Sequence, residues 1–403
     1  MNDPEAKEPF VAIACGGTGG HLFPGIAVAG ELKKRGCKIT LLISPKDIDQ
    51  QSVKSAAGME VFTLPAVGLQ NRNYFSFAKS FWNSFRASRK IFKQRIPDAV
   101  LAMGGFTSAP PVLAAQKFGA KTFLHESNTI PGRANRFLAR FVDVAFVGFP
   151  ETESRMRAKK VSMTGTPVRL EFCGSGRESA NSENSATGNR QPATVLGFDP
   201  SLPTILVVGG SQGASGLNEM ILSALPLLAK KNWQWLHLTG ANDFEKVKKI
   251  YAAKNLKALV KPFLAEMDLA LGAAAACVSR SGASSLAEIA AMRLPSLLVP
   301  YPTAADYHQF FNALAFEKTG AAKLLEQKNS TPEKVAAILT ELVENDLVRS
   351  EIQNALAQWH QPAAAAQIAE TILNAIAQQE KAAQLKVKKC NCGHAHGPAK
   401  HAH

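Results

Sequence analysis

No stretch of the 403-residue chain offers the roughly 18 uncharged apolar residues that a membrane-spanning helix requires. The first ten residues carry Asp3, Glu5 and Glu8 and lack the basic start and long apolar run of a secretory signal, so the chain is expected to stay in the cytoplasm. Its six cysteines, Cys15, Cys37, Cys173, Cys277, Cys390 and Cys392, show no disulfide spacing and read as reduced, partly buried thiols. Charged residues are only 19% against 46% apolar, which excludes a disordered chain and suits a soluble globular one. Acid is the scarcer charge, with 32 Asp and Glu against 46 Lys and Arg. The net charge of +14 points to an anionic partner, whether nucleic acid, anionic membrane or phosphorylated substrate.

What is present is a regular alternation. Short apolar runs alternate with helical patterns, the mark of a parallel α/β architecture, and the length suits two such domains. In the first half the runs are 10–15, 38–43, 61–64, 99–103, 121–124 and 144–147; in the second, 204–208, 235–238, 258–260, 276–278 and 296–299. Continuous runs of this kind suit strands covered on both faces by helices. Between the halves, 174–203 is rich in Gly, Ser, Asn and Pro and reads as a linker or mobile surface loop. The expected divisions are an N-terminal domain over 8–170, a linker or insertion over 171–203 and a second domain over 204–345. C-terminal helices over 346–380, expected to cross back to the first domain, and a basic Cys/His tail without structure over 381–403 complete them.

Glycine clusters stand at the ends of three predicted strands. The first, Gly16-Gly17-Thr18-Gly19-Gly20-His21, leads into a helix expected to begin near Pro24. A strand, a glycine loop and a helix together aim free backbone N–H groups and the positive helix end at one point, which suits a diphosphate. Gly209-Gly210-Ser211-Gln212-Gly213-Ala214 repeats the arrangement, and a shorter element, Gly104-Gly105-Phe106-Thr107-Ser108, follows the fourth run. The dinucleotide fingerprint G-x-G-x-x-G fails here, because its third position, counted from Gly17 and Gly19, is Leu22. The second strand also ends in Ser44-Pro45 rather than a ribose-binding acid, which removes an NAD-dependent oxidoreductase from consideration. One glycine turn alone serves tight packing as readily as a ligand. Three at strand C-termini predict a ligand cleft between two facing domains.

The segments GGTGGHLFPGIAVA (16–29), GGF (104–106), HESN (125–128), TGTPVR (164–169), GGSQGA (209–214), SRSGASSLAEIAA (279–291) and DYHQFFNA (306–313) together resemble the MurG family, in order and from about Phe10 to Ile376. That family transfers N-acetylglucosamine from UDP-GlcNAc to lipid I, the undecaprenyl-diphosphate-MurNAc-pentapeptide, giving lipid II. The resemblance implies a GT-B fold, two Rossmann-like domains facing across a cleft, an inverting reaction, no cofactor and no essential metal. It also implies a peripheral position on the cytoplasmic face of the membrane. Carried over by position, Thr18, Gly19 and Gly20 stand at the cleft, Asn128 and Arg169 near the donor, and Ser211 at the UDP phosphates. Ala283, Ser284, Ser285, Leu286, Ala287 and Glu288 hold the nucleotide, with Glu288 accepting from the ribose hydroxyls. Leu264 lines the uracil pocket through its backbone, and Gln309 contacts the sugar.

Each assignment has a plainer rival. The rival for Glu288 is a solvated helix residue, though its place just after the strand-to-helix turn Ser279-Arg280-Ser281-Gly282 favours the functional reading. Asn128 reads equally as a turn former before Pro131, and Arg169 has the reading of a domain-surface cation. His21 has two readings of equal weight: general base for the acceptor hydroxyl, or contact to the acceptor diphosphate. The second glycine loop is assigned to the donor, and Gly16, Gly17, Gly104 and Gly105 to the acceptor's diphosphate. Asp47-Ile48-Asp49 nominally matches the D-x-D of metal-dependent transferases but reads better as a helix start.

Residues 74–95 carry seven aromatics and six cations and no acid, with positions 74, 77, 78, 81, 82 and 85 on one helical face. That composition suits a helix on an anionic membrane surface, while a core helix with basic fringes is the rival reading. The tail's Cys390, Cys392 and histidines follow no standard zinc spacing. Two other classes stay open: a GT-B transferase with a different UDP-sugar or lipid acceptor, and a nucleic-acid or membrane-binding protein argued from charge. The last shows no recognised RNA- or DNA-binding motif and leaves the glycine loops unexplained.

Overall fold

The computed structural model describes residues 8–46, 58–66, 74–173, 192–210 and 213–392. Ser211, the Asp47-Ile48-Asp49 element and most of the interdomain segment lie outside the described residues.

Among the described residues, the first domain is a parallel sheet of seven strands. These are β1 (Phe10–Ala14), β2 (Lys38–Ile43), β3 (Glu60–Thr63), β4 (Ala99–Ala102), β5 (Lys121–Glu126), β6 (Val144–Val147) and β7 (Val161–Met163), in the order β3-β2-β1-β4-β5-β6-β7. The second sheet holds β8 (Thr204–Val208), β9 (Gln234–Leu238), β10 (Ala258–Lys261), β11 (Ala276–Ser279), β12 (Ser296–Leu298) and β13 (Lys323–Leu324), in the order β10-β9-β8-β11-β12-β13. The central strand β1, with sequence FVAIA, is buried at every position because helices cover both faces. Each sheet reverses its strand order once, between β1 and β4 and between β8 and β11. The first and third glycine loops follow β1 and β4, and the second loop and Arg280-Ser281-Gly282 follow β8 and β11. The loops thus sit at the switch points, where the strand ends splay and leave a crevice.

The structure corrects several sequence readings. The first helix runs over Gly19–Lys34 and begins five residues before Pro24, which stands inside it. Extended Thr18 is its N-cap, and the Thr18 carbonyl accepts from the N–H groups of His21 and Leu22. Residues 192–203, read as linker, pack on the second domain: Phe198 is buried in its core, and Gln234 bonds the backbone of Asp199. The final helix, Ala364–Cys392, extends eleven residues past Lys381, where the structureless tail was expected to begin. Its Ile368, Ala369, Ile372 and Ile376 pack into the first domain's core, while the preceding Asp346–Trp359 helix packs on the second. No helix among the described residues is long and apolar enough to cross a membrane.

The Tyr74–Gln94 helix also packs differently from its hydrophobic pattern. Its buried row is Ser80, Ser84, Ser88 and Phe92, spaced by four, against the Ala109–Gln116 helix. Serines let the two backbones approach, and they bond locally, Ser80 to the Pro65 carbonyl and Ser88 to the Ser84 carbonyl. The large aromatics divide: Phe81 and Phe85 pack half-buried against the core, while Phe75 is 83% exposed and Trp82 51%.

Candidate active site

The crevices of the two sheets face each other and enclose one cavity of about 1060 Å³. The first domain contributes Thr18, Gly19, Gly20, His21, Gly105, Asn128 and Arg169 to its wall, and the second contributes Leu264, Ala283, Ser284, Ser285, Glu288 and Gln309. Gly16, Gly17, Gly104, Leu286 and Ala287 are not on the wall. Gly16 is a close approach: a Cβ there would stand 2.2 Å from the Ser44 nitrogen. Gly104 has φ +106°, and a Cβ would press within about 3.0 Å of the His21 ring. Both glycines shape the wall from behind, and neither lines the cavity as the acceptor-diphosphate assignment required. Leu286 is buried in the second core.

His21 occupies the first turn of the Gly19–Lys34 helix, with Nδ1 3.2 Å from Thr18 Oγ1 and its ring in the space that a Cβ at Gly104 or Gly105 would need. Across the cavity, Glu288 lies in the Ala283–Ala291 helix with its side chain 14% exposed. Burial raises its carboxyl from the ordinary value to about 7, against the opposing pull of Arg169 and with help from Glu171. Arg169 Nη2 stands 3.8 Å from Glu288 Oε1, and its guanidinium stacks on Phe23 and Phe172. Gln309 is half committed: its Oε1 accepts the Tyr301 N–H at 2.9 Å, which leaves the amide NH₂ for a ligand.

Glu126, Asn135 and Asn312 had no individual place in the sequence reading. The Glu126 carboxylate, 2% exposed, accepts from Asn128 N, Asn128 Nδ2, Gly132 N and Asn135 Nδ2 at 2.8–3.0 Å. Four donors match its lone pairs, so this acid shapes the 127–132 loop rather than the chemistry. Asn312, fully buried, accepts from Thr129 N and Oγ1 and donates to Asn128 Oδ1 and the Ser281 carbonyl. It joins the domains at the base of the cleft, beside the packed rings of Phe149, Phe316 and Trp359. At the mouth, Arg136 pairs with Asp306 at 2.7 Å.

Two facing parallel α/β domains with glycine loops at the strand ends define the GT-B fold, the architecture of nucleotide-sugar glycosyltransferases. The chain matches the glycosyltransferase family 28 N-terminal domain over residues 11–147 and the family's C-terminal domain over 204–372. It is 36% identical over 365 residues to a UDP-N-acetylglucosamine--N-acetylmuramyl-(pentapeptide) pyrophosphoryl-undecaprenol N-acetylglucosamine transferase of Citrifermentans bemidjiense, covering 86% of this chain and 95% of that protein. The crystal structure of Acinetobacter baumannii MurG superposes with a TM-score of 0.69 at 27% identity, over 91% of this chain and 99% of that one. A UDP-N-acetylglucosamine 2-epimerase structure, TM-score 0.64 at 13% identity over 91% of this chain and 96% of that one, shares the fold alone. The chain belongs to the MurG family of N-acetylglucosaminyltransferases.

Proposed function

We propose that the protein transfers N-acetylglucosamine from UDP-N-acetylglucosamine to the C4 hydroxyl of MurNAc in undecaprenyl-diphosphate-MurNAc-pentapeptide, with inversion, releasing UDP. The observation that carries this reading is a cavity whose walls belong to different domains, one bearing His21 and the other Glu288. The donor lies on the second wall. There Glu288 accepts from the vicinal ribose hydroxyls, Leu264 borders the uracil, and the helix N-termini at Ser215 and Ala283 face the diphosphate. Ser211 belongs to the loop that meets the phosphates. As UDP departs, these fixed dipoles stabilise the growing negative charge.

On the first wall, the Thr18–Gly20 turn and Gly105 receive the acceptor's diphosphate, and His21 takes the proton from the attacking hydroxyl. Transfer is then one displacement: acceptor oxygen bonds to the anomeric carbon, the bond to the UDP oxygen breaks, and the hydroxyl proton passes to His21. A radiolabel transfer assay checks the donor and acceptor together. UDP-N-acetylglucosamine is expected to transfer label only with a lipid I analogue, and UDP-glucose and UDP-N-acetylgalactosamine poorly. Equal use of UDP-glucose, or transfer to a different lipid acceptor only, overturns this assignment in favour of another GT-B specificity.

The acceptor's chain places the enzyme at a membrane surface. Phe106 borders both the cavity and a small apolar pocket beside Phe77 and Phe81 of the Tyr74–Gln94 helix, so the acceptor wall and that helix are neighbours. The helix presents Phe75 and Trp82 outward, with Arg86 stacked on Trp82 and Arg89 on Phe85. Apolar rings within a basic fringe suit an anionic bilayer surface. Sedimentation with anionic liposomes is expected to be salt-sensitive and to weaken when Arg86, Arg89, Lys90 and Lys93 are replaced by alanine. At roughly 1 kcal/mol per cation, the four together are worth about two to three orders of magnitude at low salt. Equal binding to neutral vesicles counts against the anionic surface.

A further inference from the structure

One carbonyl of the first helix lacks its helical donor and is met from the other domain. Pro24 stands inside the Gly19–Lys34 helix, and proline has no N–H to give to the carbonyl four residues back, that of Gly20. The Gly20 oxygen accepts instead the Ser284 hydroxyl at 2.8 Å. Ser284 is the second residue of the Ala283–Ala291 helix, which also carries Glu288. Gly20 directly precedes His21. A single hydrogen bond therefore ties the turn that holds His21 to the helix that holds Glu288, across the cavity that both line.

We infer that Ser284 is a positioning residue: its hydroxyl, docked on the carbonyl that Pro24 leaves free, sets the distance between the two walls of the closed cleft. The inference rests on the placement of donor and acceptor on opposite walls. An ordinary helix satisfies a carbonyl from within, which gives it no reason to face a neighbour. Here the free carbonyl is built into the sequence by the proline, and it points at a hydroxyl only when the domains meet. The two walls are already in contact at this point: a Cβ on Gly20 would stand 3.8 Å from Ser284 Oγ, an ordinary van der Waals distance. The resemblance set Ser284 among the residues that hold the nucleotide, but its hydroxyl is committed to the Gly20 carbonyl. The side chain therefore contributes to turnover, by fixing the residue beside His21 against the donor wall, rather than to nucleotide affinity.

Two variants act on the bond from opposite sides. Ser284→Ala removes the hydroxyl. Pro24→Ala supplies an N–H that competes for the Gly20 carbonyl, at a buried position that does not line the cavity. Steady-state transfer from UDP-N-acetylglucosamine to a lipid I analogue, with the Kd for UDP from calorimetry, is measured on the full chain. Each single variant is expected to lower kcat about threefold to tenfold, the range of one net hydrogen bond, with the Kd for UDP within twofold of the parent. Ser284→Thr, which keeps a hydroxyl, is expected to retain most of kcat. The double variant is expected to be no slower than the worse single, because both break the same bond.

Wild-type kcat in Pro24→Ala, or additive losses in the double variant, overturns the inference. If Pro24→Ala does not fold, the Ser284→Ala and Ser284→Thr pair still decides: equal loss in both, or loss confined to the Kd for UDP, is the overturning result. Failure of the donor placement reads out separately, as an unchanged Kd for UDP in Glu288→Gln.

Discussion

Replacing His21 by alanine is expected to lower kcat about 10²- to 10⁴-fold, while the KM for UDP-N-acetylglucosamine changes no more than a few-fold. The acceptor hydroxyl is a poor nucleophile until its proton leaves, and an imidazole titrates near neutrality. His21 is positioned for that task by three constraints. Helix geometry puts it one turn from the capping Thr18, Thr18 Oγ1 lies 3.2 Å from Nδ1, and the missing side chains of Gly104 and Gly105 leave the ring its space. His21→Asn keeps a polar group of similar reach but cannot act as a base near neutral pH, so it is expected to be nearly as slow as alanine. If His21 instead only grips the acceptor's diphosphate, His21→Ala raises the acceptor KM and leaves kcat largely intact. Full steady-state kinetics in both substrates separate the two.

The features legible in the sequence were those enforced by backbone geometry. Glycine loops at strand ends are visible because a side chain there collides, as at Gly16, or because φ is positive, as at Gly104. Their convergence on one cleft followed from parallel α/β architecture alone. The strands 161–163 and 323–324, by contrast, are short edge pieces, and their sequences VSM and KL carry no apolar run to find. Asn312 was invisible for another reason: a single asparagine in a helical pattern carries no signal, and its partners lie 31 to 184 positions away. Glu126 was quoted only within a motif, since its four donors assemble only when the 127–135 loop folds.

The Tyr74–Gln94 helix shows where a hydrophobic pattern misleads. Periodicity weights large side chains and leaves open whether their face meets a membrane or the core, yet close helix packing is set by the smallest row. Ser80, Ser84 and Ser88 let the helix approach the Ala109–Gln116 helix, and of the aromatics in the pattern Phe81 and Phe85 pack half-buried against the core while Trp82 stays exposed. The start of the first helix was missed for a similar reason. Pro24 is favoured at helix starts, so it drew the boundary to itself, while Thr18 capped the helix a full turn earlier. That misplaced boundary concealed the Gly20 carbonyl, which a proline inside the helix deprives of its i+4 donor.

Glu288 predicts a donor affinity that depends on pH. Its carboxyl titrates at about 7 in the free enzyme because burial penalises the charge more than Arg169, at 3.8 Å, stabilises it. Ribose hydroxyls donate, so the ionised carboxylate is the better partner, and UDP binding lowers this pKa and releases a proton. The Kd for UDP is expected to be lowest and flat above about pH 8 and to rise as pH falls through 7, approaching tenfold per unit. Glu288→Gln is expected to bind UDP about 10- to 100-fold more weakly above pH 8, the range of one charged hydrogen bond, with no inflection near 7.

Stability of the unliganded enzyme runs the other way. The folded-state pKa of about 7 lies above the ordinary 4.5, so the folded chain holds this proton more tightly than the unfolded chain. The resulting contribution, on the order of 3 kcal/mol, is fully present below pH 4.5 and is lost as pH rises through 7. Thermal unfolding between pH 6 and 8.5 is therefore expected to show a falling midpoint for the wild type, restored by UDP, and a smaller fall for Glu288→Gln. Calorimetry in buffers of different ionisation enthalpy counts the released proton directly. A flat Kd across this range, with no proton release, places the ribose elsewhere in the cleft.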